Sequence, residues 1–238
     1  MLPRVTGTCG ILCTMTRIWA LADPHLSFAR PKPMDIFGEH WRNHTERIAE
    51  GCASLMDEGD ILLIPGDLSW ALKRRDAEVD LAWLAKLPGT KVLCKGNHDY
   101  WWDSDTALNY PGLFDTPFRS QDGRVGVAGT RGWMEPSPAM TEQERTQADK
   151  ILTREINRLA KRLDAVSDCP VKIAMIHYPP LEVFLPTLEK YAVKSIVYGH
   201  LHSNGKENPV PETWHGMKAY CVACDRIGFK PRLLATLP

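Results

Sequence analysis

The stretch Ile61-Leu62-Leu63-Ile64-Pro65-Gly66-Asp67 decides the fold of this chain. Its four consecutive aliphatic residues predict a strand over 61–65 that is buried on both faces, as strands in a parallel sheet covered by helices are. The Pro-Gly pair then turns the chain into a loop that begins with a carboxylate. Upstream, residues 41–56 place apolar side chains at helical spacing, and residues 18–22 are typical of an earlier strand. Together these segments predict one β-α-β unit.

The same alternation of strand and helix continues along the chain. Helices are predicted over 78–86 and 141–164, and further strands over 91–94, 124–130, 171–176, 195–198, 217–222 and 233–237. Alternating strands and helices are typical of the α/β class, and the scarcity of helix between the last three strands favours a second sheet. We therefore predict one domain over 17–238 and a disordered extension over 1–16, in which Met15 is an alternative start of the natural chain.

The composition excludes several classes of protein. Hydrophobic residues make up 44% and charged residues 24% of the 238 residues, which is typical of a globular chain and not of a disordered one. The 29 basic and 29 acidic residues cancel, so no overall field steers the chain onto nucleic acid or anionic lipid. No apolar run approaches the roughly 20 residues of a membrane-spanning helix, and we expect no membrane partner.

The seven cysteines predict a reducing compartment, and we expect a cytoplasmic protein. Their odd number and scattered contexts argue against a disulfide framework. Cys221 and Cys224 form a single Cys-x-x-Cys, and Cys9 with Cys13 forms a Cys-x-x-x-Cys, whereas a four-thiolate zinc site usually repeats Cys-x-x-Cys. We therefore interpret Cys221 and Cys224 as residues that pack within a strand.

Polar side chains follow the predicted strands. The imidazoles are His25, His98, His177, His200 and His202, and the other polar groups in the same loops are Asp23, Asp67, Asn97 and Asp99. Because the carboxyl ends of parallel strands form the ligand crevice of an α/β sheet, these side chains should converge. Nitrogen and oxygen donors without thiolate favour Zn²⁺, Mn²⁺ or Fe, and their number exceeds what one ion can hold. The sequence thus predicts two divalent metal ions.

Most of these loops have an ordinary structural explanation when taken alone. Asp23 could cap a turn before a proline, Gly66-Asp67 could be a strand-to-loop turn, and His177 could be a buried, hydrogen-bonded imidazole. Gly96-Asn97-His98-Asp99 is more specific, since turn chemistry does not need the histidine. Gly199-His200-Leu201-His202 puts two imidazoles on the same side of an extended segment, a frequent chelating arrangement. Their joint occurrence at successive strand ends favours the metal site.

In their order, five of these blocks resemble the motifs of the calcineurin-like metallophosphoesterases. The blocks are Asp23-x-His25, Gly66-Asp67, Gly96-Asn97-His98-Asp99, His177 and Gly199-His200-x-His202, and the match runs from about residue 17 to residue 204. The resemblance implies a four-layer α/β/β/α sandwich of two mixed sheets with a dimetal centre at the strand ends. It also implies that Asp67 bridges the ions, the first held with Asp23, His25 and His202 and the second with Asn97, His177 and His200.

The resemblance implies a mechanism as well. A hydroxide that bridges the two ions would attack phosphorus in line, while both ions neutralise charge on the phosphoryl oxygens. His98, which is not a ligand, would face the leaving group as a proton donor or charge stabiliser. Many family members carry an aspartate that orients this histidine where the present chain has Trp70. Asp99 is a candidate catalytic replacement, although adjacent side chains in an extended segment point apart, and a backbone carbonyl could hold His98 instead.

Two residues are candidates for contact with the substrate. Trp70 belongs to a group of aromatic residues that could stack on a base or on an aromatic leaving group, although packing between the halves of the sandwich is the favoured interpretation. The others in this group are Tyr100, Trp101, Trp102 and Trp133. Arg131 could hold a substrate phosphate through two hydrogen bonds or form a surface ion pair. The histidines that match no block, which we interpret as surface or structural residues, are His40, His44 and His215.

The leading hypothesis is a metal-dependent phosphoesterase that acts on a small phosphomonoester or phosphodiester. A nuclease of this fold would usually need a basic groove or a further domain, and the neutral charge argues against nucleic acid as a partner. Trp70 followed by Ala71 disfavours a protein phosphatase. The alternative from another class is a non-enzymatic, metal-binding scaffold for protein interaction, against which the complete set of ligand blocks weighs.

Overall fold

Two mixed β-sheets form the centre of the molecule. The computed structural model describes residues 15–103, 105–203 and 210–237. One sheet contains β1 (Thr16–Ala20), β2 (Ile61–Ile64), β3 (Thr90–Leu93), β4 (Leu113–Asp115) and β11 (Arg232–Leu237), in the order β11-β1-β2-β3-β4. Strands β1 to β4 run parallel to one another, and β11 pairs with β1 in the antiparallel sense.

The second sheet follows in the sequence. It contains β5 (Phe118–Arg119), β6 (Val125–Thr130), β7 (Val171–Ile176), β8 (Ser195–Tyr198), β9 (Thr213–Trp214) and β10 (Met217–Cys221), in the order β5-β6-β7-β8-β10-β9. The central strands β6, β7, β8 and β10 are parallel, and the short strands β5 and β9 form antiparallel edges.

Helices cover the outer faces of the sheets. They are α1 (His44–Leu55), α2 (Arg74–Ala85), α3 (Glu142–Asp164) and α4 (Leu185–Lys190). Helices α1 and α2 pack on the first sheet, where Ile48 and Leu81 belong to the same apolar cluster as Leu93. Helices α3 and α4 pack on the second sheet through a separate cluster that contains Leu159 and Leu188. No described helix has the length and apolar character needed to cross a membrane.

The run at 61–64 shows why the chain forms four layers. Ile61 and Leu63 lie in the core between the two sheets, where they join Val127 of β6. Leu62 and Ile64 point to the other face and lie in the core beneath α1 and α2. Both faces of β2 are therefore covered, which explains its uninterrupted apolar sequence. The predicted four-layer α/β/β/α sandwich of two mixed sheets is confirmed.

The helices and strands differ from the sequence predictions mainly at their ends. Helix α1 begins at His44 instead of residue 41, because Asn43 has a φ of 53° and separates the helix from a 3-10 turn. Helix α2 begins at Arg74 instead of residue 78. Strand β1 begins at Thr16, the last residue of the predicted extension, and residues 1–14, with Cys9 and Cys13, lie outside the described residues.

Candidate metal centre

The two sheets come together at the carboxyl ends of their parallel strands. Ala22, two residues beyond β1, forms a β-bridge with Ala223, two residues beyond β10. Loops from both sheets therefore open into one crevice. The described residues provide two groups of potential metal ligands: Asp23, His25 and His202, and Asp67, His177 and His200. Within each group the ligand atoms lie within 4.8 Å of one another.

Asp67 belongs to the second group and also faces the first. Its Oδ2 lies 3.9 Å from Nε2 of His25 in the first group and 3.4 Å from Nε2 of His177 in the second. Its Oδ1 accepts the backbone N–H of His98 at 2.8 Å, which fixes the orientation of the carboxylate. One side chain is thus placed to serve both groups.

Asn97 completes the second group. Its Oδ1 lies 2.7 Å from Nε2 of His177 and 3.0 Å from Nδ1 of His200. The Nδ1–H of His177 donates to the carbonyl of Pro65 at 2.9 Å, so in the neutral ring Nε2 is an acceptor aimed at another acceptor. With this orientation of the amide, the two acceptors accommodate a proton or a cation between them.

A carboxylate that the sequence motifs do not include orients His202. Nδ1 of His202 lies 3.0 Å from Oδ1 of Asp225, and the other oxygen of Asp225 accepts the backbone N–H and the hydroxyl of Ser203 at 2.7 and 2.8 Å. The bond to Asp225 directs Nε2 of His202 into the site, 3.2 Å from Nε2 of His25, where it can offer a lone pair to a cation. Asp225 follows β10 by four residues, so the rule that placed the other polar groups after strands could have found it.

The first group also contains buried polar atoms without hydrogen bonds. Oδ1 of Asp23 and Nδ1 of His25 are buried and have no hydrogen-bond partner. The second oxygen of Asp23 accepts the backbone N–H of His200 at 3.0 Å. Because buried polar groups normally have partners, these atoms and the facing imidazoles fit a site for a divalent cation.

Burial and neighbouring charges shift the pKa values of the site in different directions. Burial raises the pKa of Asp23 to about 7. Burial disfavours ionisation of Asp67 too, but His177 holds the pKa of this carboxyl below its usual range. Burial would lower the pKa of His177, yet Asp67 and Asp23 raise it to about 9. Burial lowers the pKa of His200 to about 4. At neutral pH a cation would therefore displace a proton from His177 and find a lone pair on His200.

The backbone of the site adopts a rare conformation at several candidate ligands. Positive φ values occur at Asp23 (58°), His25 (46°), Asp67 (52°) and His200 (66°). Each such residue costs about 1–3 kcal/mol, and such strain tends to cluster at functional sites. Hydrogen bonds hold these residues in place: those described above for Asp23, Asp67 and His200, and a bond from the backbone N–H of His25 to the carbonyl of Asp67 at 3.1 Å.

Two glycines of the motifs are required because the loops that carry them approach each other closely. A Cβ on Gly66, which has a φ of 100°, would lie 2.7 Å from Cα of Gly96 and from Nδ1 of His177. A Cβ on Gly96 would overlap the backbone N and Oδ1 of Asp67. The Gly-Asp and Gly-Asn-His-Asp blocks therefore need their glycines so that the two loops can touch.

Aromatic rings surround the imidazole of His98 in the described part of the chain. Its ring centroid lies 4.3 Å from that of Trp70 and 6.1 Å from that of Tyr100, and its Nδ1 is buried without a hydrogen-bond partner. Asp99 accepts the backbone N–H groups of residues 68, 69 and 96 and the indole N–H of Trp101. These contacts give Asp99 a positioning role between two loops and leave no hydrogen bond from it to His98. Among the described residues, no carboxylate or backbone carbonyl accepts a hydrogen bond from Nδ1 of His98.

Arg131 lies at the end of β6 without a contact to the ligand groups. Its backbone N–H donates to Glu155 at 3.1 Å, and its guanidinium lies 4.5 Å from the ring centroid of Trp133. Its Nε is buried without a hydrogen-bond partner, and the side chain borders a small cavity together with Lys95. No ion pair of Arg131 is found in the described part of the chain, so contact with a substrate phosphate stays a prediction.

The remaining aromatic residues and histidines have structural surroundings. Trp101 and Trp102 are buried in the core beneath α1 and α2. Among the unmatched histidines, His44 packs against Trp41, with ring centroids 5.5 Å apart, while the exposed His215 pairs with Glu182 at 2.8 Å.

The two cysteines of the Cys-x-x-Cys motif are buried free thiols. The thiol of Cys224 donates to the carbonyl of Asp23 at 3.0 Å, and burial raises the pKa of Cys221 to about 11. These observations agree with packing of both residues at the end of β10.

The ligand loops lie within a segment that matches a known family. The sequence model of the family described as calcineurin-like phosphoesterase matches residues 16–204, which is most of the chain. The chain belongs to the calcineurin-like phosphoesterase family. This family uses dinuclear metal centres, and the two groups of donors that face Asp67 are the candidate ligands for such a centre.

Three solved structures are similar to this chain. A protein of unknown function from Aquifex aeolicus is 14% identical, with a TM-score of 0.47, over 92% of this chain and 95% of that protein. The calcineurin-like phosphoesterase YfkN from Bacillus subtilis is 12% identical, with a TM-score of 0.45, over 94% of this chain and 89% of that protein. The purple acid phosphatase PPD1 from yellow lupin seeds is 16% identical, with a TM-score of 0.39, over 79% of this chain and 38% of that protein. No curated protein sequence matches the chain.

Proposed function

We propose that this chain is a metal-dependent phosphoesterase that hydrolyses a small phosphomonoester or phosphodiester. The observation that carries the proposal is the pair of ligand groups that face one carboxylate, Asp67. Asp23, His25 and His202 would hold one divalent cation with Asp67, and Asn97, His177 and His200 would hold the other. Mn²⁺, Fe and Zn²⁺ suit this set of nitrogen and oxygen donors.

The chain's own residues orient the donors and assist the leaving group. When bound, a pair of divalent cations supplies a nucleophile from water and neutralises charge on the phosphoryl oxygens. Asp225 and the Pro65 carbonyl keep Nε2 of His202 and His177 directed into the site. Burial lowers the pKa of His98, so at neutral pH its ring is uncharged and carries one N–H. That N–H would donate a hydrogen bond to the leaving oxygen as negative charge develops there.

The first test is hydrolysis of p-nitrophenyl phosphate and of its bis ester by the Mn²⁺-loaded protein. We expect turnover that a chelator abolishes and that added Mn²⁺ restores. Turnover that is absent, or that survives removal of the metal, would contradict the proposal, and metal binding without turnover would favour the scaffold.

A variant of His98 tests its role within this function. His98→Ala should keep the metal content and lose rate mainly on esters with poor leaving groups, because those need the most help at the leaving oxygen. His215→Ala, which removes an exposed histidine paired with Glu182, is the matched control and should leave all rates unchanged. An equal loss on every ester in His98→Ala would argue against a role at the leaving group.

A further inference from the structure

A cavity lies directly beside the candidate metal centre. It has a volume of about 130 Å³, and three imidazoles of the site form one of its sides: His25, His98 and His202. The other lining side chains are apolar or aromatic: Met34, Phe37, Trp41 and Trp70. The mechanism proposed above assigns no role to these four residues.

Trp70 forms a fixed wall of this cavity. His25 stacks on its indole with ring centroids 4.8 Å apart and 16° between the planes, and the His98 ring lies 4.3 Å away. The indole N–H donates to Sδ of Met34 at 3.3 Å, and the ammonium of Lys32 lies 3.0 Å from the indole centroid. Contacts on its ring and on its N–H thus hold Trp70 in one orientation, and its N–H is already used.

Trp41 forms a second fixed wall, and Phe37 stands at the rim. Trp41 is 3% exposed and meets His202 and Phe229 edge-on, at centroid distances of 5.4 and 5.2 Å. Phe37 is 50% exposed and ends the 3-10 helix that begins at Met34. The cavity therefore has rigid aromatic walls near the metal ligands and an accessible aromatic side chain at its mouth.

We propose that this cavity binds the leaving group of the substrate and that this leaving group is a single aromatic ring. The inference rests on the proposed phosphoesterase function. Because His25, His202 and His98 all line the cavity, an ester whose phosphorus lies at the metal centre directs one substituent into it. No carboxylate, ammonium or guanidinium lines it among the described residues, so burial of an apolar group meets no unpaired charge.

Size and shape select the ring. An apolar cavity of about 150 Å³ in a protein accommodates benzene, so a cavity of about 130 Å³ is matched in size to one six-membered ring. Aromatic walls also favour a flat group, which can meet them stacked or edge-on. Aryl phosphates and phosphodiesters with one aryl ester group are the substrate class that meets these conditions.

The experiment compares phenylphosphonate with methylphosphonate, which share the phosphonate group and differ in the ring. Neither is hydrolysed, so calorimetric affinity for the Mn²⁺-loaded protein is independent of leaving-group reactivity. We expect phenylphosphonate to bind about 10- to 100-fold more tightly, as burial of a ring predicts. Equal affinities in a protein that hydrolyses p-nitrophenyl phosphate would overturn the inference while the proposed function stands.

Two neighbouring variants locate the effect in the cavity. Phe37→Ala should reduce the preference for the phenyl ligand at least about threefold, because it removes one aromatic contact from the rim. Ile36→Ala is the matched control, since Ile36 is adjacent, 68% exposed and not part of the cavity lining, and it should keep the preference. Thermal unfolding of both variants checks that each is folded. An unchanged preference in folded Phe37→Ala would overturn the assignment. Absence of hydrolysis of every ester by metal-loaded protein would overturn the proposed function, and the inference with it.

Discussion

Replacing Asp225 with asparagine should weaken metal binding although no ligand is removed. The buried carboxylate lies within hydrogen-bond distance of three donors: Nδ1 of His202, the backbone N–H of Ser203 and its hydroxyl. Asparagine keeps one oxygen and turns an NH₂ group toward the donors on the other side. Loss of such a partner typically lowers metal affinity about 10- to 100-fold, and each donor left unpaired costs about 1–3 kcal/mol of unfolding free energy.

Calorimetric titration of chelator-treated protein with Mn²⁺ measures this effect. We expect one of two binding events to weaken about 10- to 100-fold in Asp225→Asn, and the event at the Asn97 side to change little. Asp60→Asn is the matched control. Asp60 is also buried and accepts hydrogen bonds from Arg17 and Trp19, but it immediately precedes β2, at the end of the strand opposite to the ligand loops. The control should lose stability and keep both binding events.

Two results would refute this reasoning. If Asp225→Asn binds both ions as the unchanged protein does, the tautomer of His202 does not depend on Asp225. If Asp60→Asn weakens Mn²⁺ binding as much as Asp225→Asn does, the effect comes from general loss of stability and not from the orientation of a ligand.

Three further predictions concern the ligands themselves. Asp67→Asn should lower the metal content below two ions per chain and abolish hydrolysis, because one side chain faces both groups; unchanged content in elemental analysis would contradict the bridging role. Gly96→Ala should reduce metal content because its Cβ would overlap Asp67, whereas Gly59→Ala, with nothing within 4 Å of its Cβ, should not; equal metal content in both variants would contradict the need for close approach. Metal binding at pH 7 should release about one to two protons, since the pKa values of His177 and Asp23 are raised to about 9 and about 7. The affinity for the metal should accordingly rise with pH up to about 9. Calorimetry in two buffers of different ionisation enthalpy measures the number of protons released, and a result of none would contradict this prediction.

The ligand blocks could be predicted because their signal is local. Asp23, Asp67 and His177 each follow a short apolar run, and the ends of parallel strands meet at one edge of a sheet. Asp225 carries a weaker form of this signal, because it lies four residues beyond β10. Its partner His202 lies 23 residues away along the chain, and a single aspartate after a strand is also typical of a turn. The Pro65 carbonyl that orients His177 is a backbone atom, which no residue type marks.

The strands that escaped prediction are short, and their conformation depends on pairing with a neighbouring strand. Strand β4 pairs with β3, and β5 pairs with β6, through three and two residues respectively. Segments this short show no measurable period of hydrophobic residues, so their conformation is set by the strand with which they pair. The early end of β1 has the same origin, since beyond Ala20 the chain also pairs with a segment of the second sheet, where Ala22 bridges Ala223.

Trp70 connects the chemistry of His98 with the choice of leaving group. It stands where many family members carry an orienting aspartate, and here ring contacts hold His98 while burial, which outweighs the nearby Asp67 carboxylate, lowers the pKa of its ring. The same indole makes one wall of the cavity apolar. A neutral His98 gives less help to a strongly basic alkoxide than an imidazolium would, whereas a phenolate leaves with less assistance. Trp70 in place of the aspartate therefore weakens His98 as an acid and also forms part of the pocket for a leaving group that needs little acid assistance. The preference for aryl esters and the effect of His98→Ala should for this reason be measured on the same esters.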